Sequence, residues 1–324
     1  MKYRNLGKTD LEVSEIGFGV WTVSTGWWGQ LEERDSIALL SEALDLGINF
    51  FDTGDTYGEG YGEEILAKAF GKQRNSILLG TKFGYDFYTH VEREGRRNNP
   101  QDFSPSFVRY ACEQSLRRLN TDHIDLYQLH HPRLETIESD DLFETLEALV
   151  QEGKIRYYGS ALGPDIGWLE EGEASMRKRK VSSMQIIYSI IEQEPARKFF
   201  PIAEEEGTGL LSRIPHASGM LDGTYDKYTV FTPSNHRRQA WLDTLLENME
   251  LLDFLTQETD ATIGQVAIQF ALASRSIASI LPNITNQEQL REFALAPETP
   301  KMSADVLERI DCLYDHNFYL EDPT

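Results

Sequence analysis

Cysteine is almost absent: Cys112 and Cys312 are the only two in 324 residues, too few for a disulfide framework and at no metal-ligand spacing. Long apolar runs are missing as well. None approaches the roughly eighteen residues that a membrane helix needs, and the polar, charged N-terminal residues are unlike a secretion signal. Cationic residues are outnumbered, 31 Lys and Arg against 53 Asp and Glu, for a net charge of −22. Phosphate binding needs a basic surface, so the expectation is no nucleic acid and no membrane as partner. A soluble, cytoplasmic protein is expected; the sequence leaves a homo-oligomer open.

Linkers, internal repeats and low-complexity tracts are also lacking, which points to one domain over residues 1–324. What the chain has is alternation. After an N-terminal hairpin, β-branched or aromatic runs at 15–20, 49–53, 76–82, 124–130, 156–161, 183–189, 207–213 and 278–282 read as eight strands. Amphipathic helices lie between them. One carries Ile37, Leu40 and Leu44 and closes on Gly47. Another has Ser104 as cap, Pro105 in its first turn, and Val108, Ala111, Cys112, Leu116 and Leu119 along one face. With 40% hydrophobic residues to fill a core, eight such units predict an α/β fold, the (β/α)8 TIM barrel, with an N-terminal β-hairpin. Two long polar stretches follow strand ends: 87–103, with Arg93, Arg96 and Arg97, and 218–238, rich in Gly, Asp, Tyr and Thr. A barrel builds its active site at that C-terminal face, so both read as functional loops.

Chemistry gathers at the same strand ends. Asp52, Lys82 and His130 each terminate a different strand, and Tyr57 lies in the loop after the first of these. Any one of them alone would be structural in most proteins. Together they fit proton transfer to a carbonyl oxygen. A free phenol, with a pKa near 10, is a poor donor at neutral pH, and a nearby ammonium stabilises its phenolate. Lys82 supplies that charge, Asp52 holds Lys82, and His130 hydrogen-bonds the oxygen beside Tyr57. Alternation turns His131 away from His130, which makes it a packing residue and leaves no metal site, since no carboxylate or cysteine completes a ligand set. The aromatic residues Trp21, Trp27, Trp28, Phe83 and Tyr85 lie past strand ends, where pocket lining and packing are equally expected. GFGVWT at 17–22 lacks the third glycine of a dinucleotide fingerprint, and Gly7-Lys8-Thr9 lacks the upstream glycine of a phosphate loop.

The segments GINFFDTGDTYG (47–58), SILLGTKFG (76–84) and IDLYQLHHP (124–132) resemble the catalytic motifs of the aldo-keto reductases. The likeness runs from MKYRNLGKTDLEVSEIGFG at the start to LPNITNQEQL at 281–290. It implies reduction of a small-molecule aldehyde or ketone by NADPH or NADH without a Rossmann domain, with Asp52, Tyr57, Lys82 and His130 as the catalytic set and Tyr57 as proton donor. It also implies cofactor contacts at Trp21, Asp52, Ser160, Gln185, Arg213, Asn283, Thr285 and Gln289. Gln185 matches the residue that contacts the carboxamide, and Arg213 stands where a bacterial branch stacks an arginine on the nicotinamide. Two departures are evident. The usual Gly-Val-Ser-Asn reads Gly159-Ser160-Ala161-Leu162, and Arg291 is the single cation at the adenosine end, which weakens the clamp for the extra phosphate of NADPH. The same residues would serve a sugar or polyol dehydrogenase, or a slow redox sensor of the potassium-channel β-subunit kind.

Overall fold

A short antiparallel hairpin, β1 (Tyr3–Asn5) and β2 (Glu12–Ser14), opens the chain in a computed structural model that describes residues 1–27, 29, 31–89, 99–163, 168–225, 228–230, 251–257 and 260–319. Eight parallel strands follow: β3 (Phe18–Gly19), β4 (Phe50–Asp52), β5 (Leu78–Phe83), β6 (Ile124–His130), β7 (Ile155–Ala161), β8 (Ser183–Ile187), β9 (Gly209–Arg213) and β10 (Ile277–Leu281). They pair in chain order. A parallel bridge between Ile16 and Ile280 joins the two outer strands, where Gly17 N–H donates to Ile280 O at 2.8 Å and Ile280 N–H to Glu15 O at 2.9 Å. The barrel therefore closes, and all eight strands expected from the sequence are present.

Its two apolar layers follow from strand alternation. Inward residues Phe50, Leu126, Leu211 and Ala278 pack with Leu6, Leu11 and Val13 from the hairpin segment, which fills the interior with side chains. Outward residues such as Phe51, Leu129, Met184 and Leu210 meet the helices. Helix Pro105–Leu119 shows why these helices form where they do. Ser104 caps it by accepting from Phe107 N–H, proline occupies the first turn, and Val108, Ala111, Cys112, Ser115 and Leu119 are buried at helical spacing. Helix Ile263–Leu272 starts on a reciprocal capping box between Thr262 and Gln265.

The base of the loop after β5 is tied down. Asp86 N–H donates to Pro100 O and Asp102 N–H to Gly84 O, each at 2.8 Å. Arg118 donates to Glu63 at 2.6 Å and to the Tyr88 hydroxyl at 2.9 Å, with its guanidinium over the rings of Phe87 and Tyr88. Trp28, the cations Arg93, Arg96 and Arg97, and residues 231–238 lie outside the described residues. Among the described residues no helix is long and apolar enough to cross a membrane, and no His, Cys, Asp and Glu cluster could hold a metal.

Candidate active site

Strand register sets the first half of the mouth. Asp52 pairs with Gly80 across β4 and β5, and Lys82 pairs with Gln128 across β5 and β6, so the ends of three strands meet. The Lys82 ammonium, fully buried, bonds the Asp52 carboxylate and donates to Thr53 O at 2.7 Å. Gln128 Nε2 donates to the second Asp52 oxygen at 2.8 Å. Both carboxylate oxygens are thereby occupied. A buried ion pair is tolerable only with its polar atoms satisfied in this way, because desolvation opposes it.

Tyr57 reaches the group through a turn in which its N–H donates to Gly54 O at 3.0 Å and Asp55 N–H donates to Lys82 O at 3.1 Å. Gly58 permits the turn: its φ is +59°, and a Cβ there would stand 2.4 Å from Ser24 O. The Lys82 ammonium lies 5.0 Å from the centre of the Tyr57 ring, and the Tyr57 and His130 rings meet edge to face at 5.8 Å. Burial, reinforced by His131, Lys82 and Arg213, holds His130 well below the usual imidazole range. It is a neutral ring. Asp55, buried two residues before Tyr57, is pushed well above the carboxylate range, chiefly by burial and then by Glu63.

His131 departs from the expectation. It does not continue the strand but takes φ +57°, so alternation ends at His130 and the His131 ring turns into the mouth, 4.5 Å from that of His130. Three bonds hold the turn. His131 N–H donates to Ala161 O at 2.8 Å, and Gln101 Nε2 donates to the carbonyls of His130 at 2.9 Å and His131 at 3.1 Å. The Tyr85 hydroxyl is 2.9 Å from His131 Nδ1, and burial pushes the His131 pKa down to about 3.

The second half of the mouth comes from β7 to β10 and the segment after β3. Gln185, Arg213, Asn283, Trp21 and Ala161 line one cavity together with Tyr57, Lys82 and His130; its volume is about 700 Å³, within the range of small-molecule sites. Trp21 Nε1 donates to Asn283 Oδ1 at 2.8 Å, and Arg213 donates to Leu162 O at 3.1 Å. Gln185 Nε2 is buried without a hydrogen-bond partner among the described residues. Tyr85 and the exposed Trp27 also line the cavity, whereas Phe83 is in the outer core, stacked on Tyr127 at 4.2 Å.

Ser160 is not brought to this cavity. In the ladder it pairs with Leu129 and Met184, both of the helix-facing layer, while its neighbour Ala161 pairs with His130 and Gln185 and faces the mouth. Thr285 and Gln289 lie beyond the cavity lining and satisfy one another: the Thr285 N–H and hydroxyl donate to Gln289 Oε1 at 3.0 and 2.8 Å. Arg291 pairs with Glu42 at 2.6 Å. Sequence reasoning overlooked Gln128, Gln101 and Asn99. Gln128 had a signal, since it precedes His130 by two on a strand and must share its face. Gln101 and Asn99, the latter lining the cavity, had none.

A closed parallel barrel with this acid–base group at the C-terminal end of its strands is the build of a barrel enzyme's active site. The chain belongs to the aldo/keto reductase family, whose model matches residues 15–315. Over 98% of its length and 96% of the other protein's, it is 31% identical to the uncharacterized oxidoreductase YqkF of Bacillus subtilis. It is 29% identical to the NADH-specific methylglyoxal reductase of Escherichia coli, covering 94% of this chain and 96% of that one. Among solved structures, the aldo-keto reductase AKR11C1 of Bacillus halodurans in its holo form superposes with a TM-score of 0.80 at 31% identity, over 97% and 96% of the two chains. The protein is thus an NAD(P)H-dependent oxidoreductase. Its cavity fits a nicotinamide group: Gln185 Nε2 is a buried donor lacking an acceptor, and a carboxamide oxygen is one.

Proposed function

We propose that this enzyme reduces an aldehyde or ketone to an alcohol, with Tyr57 giving the proton. The observation that carries the reading is the meeting of Tyr57, Lys82 and His130 on one cavity, with Asp52 and Gln128 behind them. A nicotinamide held at this cavity would supply the hydride. As charge develops on the carbonyl oxygen, Tyr57 donates its phenolic proton to it, and the Lys82 ammonium stabilises the phenolate left behind. Asp52 and Thr53 O fix the Lys82 ammonium in place, while Gln128 keeps Asp52 from turning. His130, being neutral, can offer an N–H to the same oxygen without repelling Lys82. Run backwards, the same residues oxidise an alcohol.

Gln185 and Arg213 would hold the nicotinamide end, flanked by Trp21 and Asn283, and the adenosine end would lie toward Thr285 and Gln289. Arg291 is engaged by Glu42, so the phosphate that distinguishes NADPH meets no free cation among the cavity-side residues expected to bind it. NADH should serve nearly as well, in keeping with the NADH-specific relative. Steady-state reduction of a panel of aldehydes and ketones with each cofactor tests the proposal. Turnover with at least one carbonyl is the expected result, and cofactor binding without any turnover would favour a redox-sensing role instead.

A further inference from the structure

Behind the turn that carries Tyr57 lies a buried polar group that the proton-transfer steps do not use. Glu63, on the helix Tyr61–Phe70, accepts from Arg118 Nε and from the Thr81 hydroxyl, each at 2.6 Å. Arg118 also donates to the Tyr88 hydroxyl at 2.9 Å, and that hydroxyl donates onward to Asp55 Oδ2 at 3.4 Å. Asp55 and Glu63 are both fully buried. The group thus holds two carboxyls and one guanidinium, and Glu63 takes the guanidinium directly. Asp55 meets a phenol instead, and its Oδ1 has no hydrogen-bond partner among the described residues. Two ionised carboxylates beside a single cation would leave one buried charge unpaired, so the charge count favours a proton on Asp55. The other neighbours add no cation: Tyr127, on β6, is held neutral by burial, and Lys82 is taken by Asp52. The raised Asp55 pKa agrees, with burial as its first cause and Glu63 as its second.

We propose that Asp55 is a positioning residue for Tyr57, holding the turn that carries the phenol against Tyr88 and Arg118. This rests on the reading of Tyr57 as proton donor. The backbone of the turn is tied from the barrel side, Thr53 N–H to Gly80 O at 2.8 Å and Asp55 N–H to Lys82 O at 3.1 Å. The Asp55 side chain ties it from the helix side, to the base of the loop after β5 and through it to the helix Pro105–Leu119. Tyr57 stands two residues on, with its ring centre 5.0 Å from the Lys82 ammonium. A turn anchored on one side alone lets that distance drift, and misplacing a reacting group by about 1 Å costs up to ~10²-fold in rate. A neutral carboxyl suits the task. It accepts from Tyr88 as a carboxylate would, yet adds no negative charge to oppose the effect of Lys82 on the Tyr57 phenol.

The test follows reduction of 4-nitrobenzaldehyde by NADH across pH, together with urea unfolding. Asp55→Asn has the shape of the protonated acid and no charge, so it should keep most of kcat and leave the alkaline limb of the pH profile in place. Asp55→Ala should lower kcat roughly tenfold, the scale of one lost hydrogen bond, while the NADH dissociation constant stays within a few-fold. It should also move the alkaline limb to higher pH, because a phenol drifting from Lys82 loses the charge that lowers its pKa. With Asp55 neutral, only displacement of Tyr57 can move that limb. Unfolding gives a second reading that needs no turnover. A carboxyl that keeps its proton in the fold above about pH 4, where the unfolded chain releases it, stabilises most at low pH and less as pH rises. Asp55→Asn should therefore unfold at higher urea than the wild type at pH 7 and depend less on pH. A lower urea midpoint for Asp55→Asn, or an alkaline limb moved to lower pH, would show an ionised Asp55 and overturn the inference. Unchanged kcat and limb in Asp55→Ala would overturn it too, and if that variant fails to fold, the same result in Tyr88→Phe does so. A wild type that reduces no carbonyl would instead overturn the proton-donor reading, and this inference with it.

Discussion

The two halves of the barrel mouth differ in how far they are finished. On the β4 to β6 side the charged groups are tied within the protein, Asp52 to Lys82 and Gln128 and Lys82 also to Thr53 O, with His131 tied to Tyr85, although His130 Nδ1 and Gln128 Oε1 are buried with no partner among the described residues. On the β8 to β10 side Gln185 Nε2 is buried with no partner. The ion pair of the first half needs no ligand to hold it, which suits charges that must be positioned before the reaction. The second half carries a buried donor that no described residue completes. The difference separates chemistry from binding, and substitutions in the two halves should fail in different ways.

The largest effect is expected in the finished half. Lys82→Met leaves the Asp52 carboxylate buried without its counter-charge, for which removal of one partner costs about 3–5 kcal/mol. It also removes the charge behind Tyr57, so turnover should fall by about 10²–10⁴. Denaturant unfolding and steady-state kinetics check the two parts. A variant as stable and as active as the wild type would erase the distinction between the halves.

A smaller effect is expected where Glu42 holds Arg291. Glu42→Gln frees the guanidinium, and if it reaches the extra phosphate the preference for NADPH over NADH should rise about tenfold, the lower end of a charge-assisted bond. Fluorescence quenching with both reduced cofactors gives the ratio at fixed ionic strength. In the unchanged protein that ratio should stay below about a thousand, since more would require roughly 4 kcal/mol from a group not yet identified. The smallest effect belongs to the unfinished half itself. Gln185→Ala removes a donor that has no protein partner, so the folded protein should lose little stability while cofactor affinity drops by about three- to tenfold. Equal affinity with reduced stability would mean that Gln185 is structural.

Much of this was legible in the sequence. Eight β-branched or aromatic runs gave eight strands, and Asp52, Lys82 and His130 were readable because each ends a strand at the barrel mouth, with Tyr57 in the first connecting turn. His131 was not, because alternation holds only while the backbone stays extended, and the contact that ends it comes from Gln101, thirty residues earlier and beyond a loop. Ser160 was misplaced for a different reason. The resemblance located the right segment, but whether Ser160 or Ala161 faces the cavity depends on register with Leu129 and Met184. The pairing of Thr285 with Gln289 follows the same logic, since a polar residue at a cofactor position can equally satisfy its neighbour.

The central claim is that Tyr57 is the proton donor in a group otherwise held together without it. Tyr57→Phe removes one hydroxyl, and among the described residues the hydrogen bonds that join Asp52, Lys82, Thr53 and Gln128 do not involve that oxygen. Measured side by side, carbonyl reduction should fall by about 10²–10⁴ while the dissociation constant for the reduced cofactor stays within a few-fold of the wild type. Near wild-type turnover in the phenylalanine variant would contradict the assignment.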